Sequence, residues 1–101
     1  MARLRYRVKW AAPAVADLLE AAYFIRRDQP AAAKRLYAEI ERQTKLLRTH
    51  PMLGPVVPEF ENRFLRELII RSYRVIYRFL PHESRIEILA VVHGARALPN
   101  A

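Results

Sequence analysis

Leu65-Arg66-Glu67-Leu68, Ser72-Tyr73-Arg74-Val75-Ile76-Tyr77-Arg78-Phe79 and Ile86-Glu87-Ile88-Leu89-Ala90-Val91-Val92-His93-Gly94-Ala95-Arg96 follow one another in the last third of the chain. Each run is rich in β-branched, aromatic or aliphatic residues. Each also carries arginine, where a strand buried on both faces would have none. The reading is three strands, over about 63–70, 73–80 and 85–92, in a sheet with one packed face and one working face. Arg71-Ser72 and Pro81-His82-Glu83-Ser84 connect them, short enough for antiparallel hairpins. Alternation in the middle strand puts Tyr73, Val75, Tyr77 and Phe79 on the packed side and Arg74, Ile76 and Arg78 on the other. In the last strand Ile86, Ile88, Ala90 and Val92 form the better core set, against Glu87, Leu89, Val91 and His93.

Working back toward the N-terminus, residues 51–62 hold Pro51, Gly54, Pro55 and Pro58 without periodicity and predict a surface loop. Before them Ala33, Leu36, Ile40 and Leu47 make the apolar stripe of a helix flanked by the pairs Arg35–Glu39 and Glu41–Lys45. Pro51 disfavours helical geometry in the residue before it, so this helix should stop near His50. Asp28-Gln29-Pro30 separates it from an earlier helix over about 13–27, with Pro13 in its first turn and Val15, Leu18, Leu19, Ala22 and Ile25 at helical spacing. Asp17 and Glu20 near its start and Arg26 and Arg27 near its end suit the macrodipole. Tyr23 and Tyr37 are expected between helix and sheet or at its rim. Residues 4–10 alternate, Leu4, Tyr6, Val8 and Trp10 against Arg5, Arg7 and Lys9, which is the period of a half-buried strand. The order is strand-helix-helix-strand-strand-strand. The expected class is α+β, a helical hairpin packed on one face of a small, mainly antiparallel sheet whose other face is open.

The 101 residues suit a single domain, 1–101, large enough for one core. Cysteine is absent, so no disulfide or thiolate metal site is expected. Basic residues interrupt the region where a signal peptide would need an apolar run, and no segment is long enough to span a bilayer, so a soluble, cytoplasmic protein is expected. No phosphate-binding glycine loop or metal-ligand spacing is present, and neither cofactor nor metal is expected. The formal net charge is +8 and is unevenly placed. Residues 1–10 carry four basic side chains and no acid; residues 63–101 carry seven arginines against three glutamates; residues 11–62 balance at seven each. An excess confined to strand-like segments opposes compaction by self-repulsion, and is best understood as complementarity to an anionic partner.

Arg66, Arg78 and Arg96 are the candidate anion-binding cations, because a guanidinium is always charged and forks onto two oxygens. Arg74 joins Arg78 by parity. His93, at a strand end beside Gly94, is the one candidate acid or base near neutral pH. The plainer alternatives are an ion-paired strand surface for the arginines and a backbone-bonded histidine. For Glu67 and Glu87, salt bridging is the simpler role than general base. Gly94 is a candidate for a backbone conformation other residues resist.

Trp10 before its Ala/Asp/Leu helix, His50-Pro51-Met52-Leu53-Gly54, Leu65-Arg66-Glu67-Leu68, Tyr73-Arg74-Val75-Ile76-Tyr77-Arg78 and Val92-His93-Gly94-Ala95-Arg96, in that order, resemble the RelE/ParE superfamily of bacterial type II toxins. The resemblance implies a growth-inhibiting toxin neutralised by a cognate antitoxin that is partly acidic, folds on binding and forms a hetero-oligomer with it. It also implies one of two targets. RelE-like members cut messenger RNA in the ribosome, for which Arg66, Arg78, His93 and Arg96 would be the catalytic set; ParE-like members poison DNA gyrase, and Arg66, Arg74, Arg78 and Arg96 would be the target-binding set. The ribonuclease branch supplies a lysine pair in the loop or following strand and a tyrosine or histidine near the C-terminus. Residues 49–64 here have no lysine, and the tail past His93 has no Tyr, His or Lys. The expectation is therefore a ParE-like gyrase inhibitor. The rivals are a RelE-like endonuclease and a non-toxic, basic nucleic-acid-binding module.

Overall fold

The computed structural model describes residues 5–94. Its elements are β1 (Arg7–Trp10), α1 (Ala12–Asp28), α2 (Pro30–Leu46), β2 (Leu65–Ile70), β3 (Tyr73–Leu80) and β4 (Arg85–His93), with one turn of 3-10 helix over Pro81–Glu83. The sheet order is β1-β4-β3-β2. The three C-terminal strands run antiparallel as two hairpins, and β1 adds to β4 in parallel. This is the α+β arrangement expected. Leu4, assigned to the first strand, lies outside the described residues.

Both helices have proline at their first turn, where its missing N–H costs nothing. Helix α2 buries the predicted stripe of Ala33, Leu36 and Ile40, with Leu47 just beyond its end. Thr44 is buried on the same side and donates its hydroxyl to Ile40 O at 2.8 Å. The helix ends at Leu46, short of His50, and turns follow. Glu39 pairs with Arg42 at 2.7 Å rather than with Arg35, while Glu41 and Lys45 pair at 3.4 Å as expected.

Helix α1 corrects the sequence reading. Of the expected stripe Leu18, Ala22 and Ile25 do turn inward, joined by Ala14 and Ala21, while Val15 and Leu19 are exposed. The helix carries apolar residues on more than one face, so spacing alone did not choose which faces the sheet. Tyr23 and Phe24 stand out with Leu19, each more than half exposed, and the two rings meet edge to face 5.8 Å apart.

The last strand holds a second correction. Ile76 pairs with Ala90 but Tyr77 pairs with Ile88, so Leu89 is the extra residue of a β-bulge. The bulge shifts the phase. Ile86 and Ile88 face the core before it and Val91 after it, in place of Ala90 and Val92. Asp17 of α1 accepts the Val91 N–H at 3.0 Å, tying helix to sheet beside this irregularity. The core unites Leu36, Ile40 and Leu47 with Leu68, Ile70, Val75, Tyr77, Phe79, Ile86, Ile88 and Val91. Each such aliphatic side chain contributes about 1.5–3 kcal/mol by leaving water.

The far face of the sheet is not wholly open. Residues 55–57 run beside β2: Glu67 N–H donates to Pro55 O, Val56 bridges Arg66, and Val57 N–H donates to Leu65 O. Val57 and Ile76 are buried yet stand outside the main core. The proline-containing loop thus folds as an added edge.

Candidate functional site

Residues paired across neighbouring strands share a face. By register, Leu65, Glu67 and Ile69 of β2 lie opposite Arg78, Ile76 and Arg74 of β3 on the far side from the helices. Arg66 pairs with Tyr77, so it lies on the helix-covered side. Arg66 and Arg78, joined at the sequence level as adjoining cations, are on opposite faces of the sheet.

Arg66 is a fastener for the 52–54 loop. Its Nη1 donates to Gly54 O at 2.9 Å and Met52 O at 3.3 Å, and its Nε to Arg63 O at 2.8 Å. The same loop is held from beneath by Tyr77, whose hydroxyl accepts the Gly54 N–H at 3.0 Å. Burial pushes the Tyr77 phenol above its ordinary value, partly offset by that bond. Glycine is required at position 54 by crowding: a Cβ there would sit 2.0 Å from the Glu67 carbonyl oxygen.

Arg74 was expected on an exposed face and is 7% exposed. Two glutamates enclose it. Its Nη1 and Nη2 fork onto Glu59 at 2.9 and 2.7 Å, and its Nε and Nη2 reach Glu67 Oε1 at 2.7 and 2.6 Å. The bonds to Glu59, and then those to Glu67, raise the guanidinium above its ordinary value against the opposing effect of burial. The triad as a whole carries one excess negative charge. Such a group holds the 55–60 segment to the sheet; it does not offer a phosphate an open cation.

Arg78 is the most exposed of the three described candidate arginines, its side chain 45% accessible, and it meets Glu87 at 2.7 Å. Across the same face the register places Lys9 beside Glu87, and Arg7 beside Arg85. His93 ends β4, opposite Tyr73, with the two rings edge to face at 5.6 Å. It borders a cleft of about 520 Å³ shared with Glu67, Ile69, Arg71 and Arg74. Arg66 and Arg78 do not line that cleft. Arg96 lies outside the described residues. Gly94 keeps an ordinary φ, and its N–H donates to Ser72 O at 2.6 Å.

The structure therefore brings Arg74 and His93 to one cleft and separates them from Arg66 and Arg78. Sequence reasoning missed Glu59 and Asp17 as partners. Glu59 lies in a loop without periodicity, and nothing local announced its contact with Arg74. For Glu67 the signal was present, since it faces the same side as Arg74.

The model of the ParE toxin of type II toxin–antitoxin system parDE matches residues 8–98. Among curated protein sequences none matches this chain. Among solved structures, the chromosomal ParDE system from Pseudomonas aeruginosa superposes with TM-score 0.70 at 23% identity, over 88% of this chain and 96% of that one. The RelBE2 toxin–antitoxin complex from Mycobacterium tuberculosis gives TM-score 0.63 at 21% identity, over 94% and 98%. The archaeal RelE–RelB complex from Pyrococcus horikoshii gives 0.57 at 25% identity, over 93% and 100%. The two likenesses below 25% identity speak for the fold; the family match across nearly the whole chain shows that this chain belongs to the ParE toxin family of type II toxin–antitoxin systems.

Proposed function

We propose that this toxin acts as a ParE-like poison of DNA gyrase and is neutralised by a cognate, partly acidic antitoxin that folds on binding. The observation that carries the target choice is the enclosure of Arg74 by Glu59 and Glu67. Cutting RNA requires preorganised positive charge at the phosphate and a proton acceptor beside the 2′-OH. Here the buried arginine is neutralised from within, and Arg66 and Arg78 are on opposite faces. An inhibitor that works by binding needs neither, and the exposed cations Arg78, Arg7 and Lys9 supply a surface for an anionic target.

The antitoxin reading is supported by the structural neighbours, of which the P. aeruginosa protein is described as part of a ParDE system and the M. tuberculosis and P. horikoshii proteins as toxin–antitoxin complexes. It is supported also by the exposed apolar run of Leu19, Tyr23 and Phe24 on α1, which a monomer has no reason to leave in water.

The test is to add the purified toxin in parallel to gyrase with supercoiled DNA and to ribosomes programmed with message. Stabilised gyrase cleavage with intact message is expected. A cut message with unaffected gyrase would overturn the reading in favour of the RelE-like alternative.

A further inference from the structure

We infer that the helix-free face of the sheet, over β1 and the adjoining ends of β3 and β4, seats the phosphate backbone of duplex DNA. Register puts Arg7 directly opposite Arg85, Lys9 opposite Glu87, and Glu87 opposite Arg78, all on that face. Arg5 precedes them at the same parity and is exposed, as are Arg7 and Lys9. Two of these cations are answered by acids, Arg78 by Glu87 at 2.7 Å and Arg85 by Glu83 at 2.9 Å. Arg5, Arg7 and Lys9 form no ion pair among the described residues. Like charges set opposite each other on neighbouring strands oppose folding. An oxyanion held between the Arg7 and Arg85 guanidiniums would relieve that opposition. Arg85 also carries the donor for it: its Nε is shielded from water and meets no acceptor, which costs stability until an oxygen reaches it. Turning Arg85 toward Arg7 would bring that N–H to a phosphate lying between them.

What the face lacks selects the occupant. Proteins that hold single strands stack the bases on aromatic side chains. Here the rings of Tyr6, Trp10, Tyr73, Tyr77 and Phe79 all pack toward the helix side, so among the described residues no strand offers a ring on the cationic face. A duplex keeps its bases stacked inside and presents only its charged backbone, which needs cations alone. Alternate residues of a strand advance about 6.6 Å, so the row from Arg5 to Lys9 runs for about 13 Å and spans several phosphates of a backbone laid along it. Arg85 and Arg78 broaden the row across the two neighbouring strands. That the duplex is the one gyrase holds rests on the proposed function; the contact itself does not.

The test titrates the full chain with a fluorescent, mixed-sequence duplex of about 20 base pairs at rising sodium chloride; phosphate contacts by Arg5, Arg7 and Lys9 predict a slope of log affinity against log salt near about −2.7. Arg7→Ala with Lys9→Ala, both at exposed positions, should weaken binding by about tenfold or more and flatten the slope to about −0.9. Arg26→Ala with Arg27→Ala, at the exposed end of α1, should leave affinity and slope as they were. Glu83→Gln, also exposed, uncovers Arg85 and should steepen the slope to about −3.6, a gain that a misfolded chain could not give. Equal affinity for the single strand or for polyglutamate, or an effect carried by the α1 pair instead, would overturn the inference. Duplex binding of the expected kind with gyrase unaffected would remove the proposed target and keep the face. Gyrase poisoned at full strength by the Arg7 and Lys9 double variant, after it has lost the duplex, would keep the target and remove the face.

Discussion

Arg74 shows how one side chain decides between a chemical and a structural role. Its guanidinium is forked between Glu59 and Glu67 in a buried setting. Arg74→Ala leaves two carboxylates without their cation and should destabilise the fold by about 3–5 kcal/mol in urea denaturation, with Glu67→Gln in the same chain recovering part of the loss. Its raised value means that the stability it contributes is complete below the ordinary arginine value and is lost only as pH climbs through the folded one, above any working pH. The Tyr77 phenol is raised too, in an accessible window. Its contribution is complete below the ordinary tyrosine value, about 10, and is lost as pH rises through the folded one. Tyr77→Phe strands the Gly54 N–H and should cost about 1–2 kcal/mol at neutral pH. Thermal melts at rising alkaline pH should then show a shallower decline than in the parent chain.

Short elements of this fold depend on backbone approach more than on side-chain size. The 52–54 loop lies against β2 so closely that Gly54→Ala must displace main chain at Glu67. A loss of about 3 kcal/mol or more is expected, measured by the shift in denaturation midpoint. The two-residue turn between β2 and β3 holds Arg71 at φ 55, a conformation costly for a side-chain-bearing residue. Arg71→Gly should raise stability by up to about 1 kcal/mol; a lower melting temperature would show that relief of the left-handed φ is outweighed. The elements themselves were legible, because periods of two and of 3.6 residues are local properties. Which α1 stripe faces the sheet was not legible, since Val15 and Leu19 fit the helical period as well as Ala14 and Ala21 do. Nor was the Leu89 bulge, for one inserted residue leaves no mark on composition.

Across the whole molecule the +8 charge remains a self-repelling load even after the observed ion pairs. Adding sodium chloride up to physiological strength should therefore raise the melting temperature of the isolated toxin, as screening relieves the repulsion; a fall would mean that its exposed ion pairs outweigh the excess. The amino-acid order alone determined the six elements, their succession, the cationic character of the strands and the family likeness, since each rests on neighbours within a few residues. Tertiary structure decided which arginines remain outward. Arg66, Arg74 and Arg78 look equivalent in the chain, yet register sends the first to the helix side, a folded loop brings Glu59 to the second, and only the third keeps substantial contact with water. The reason is physical: whether a charge is open to a target depends on partners distant in sequence, and those partners meet it only when the loop and sheet have closed.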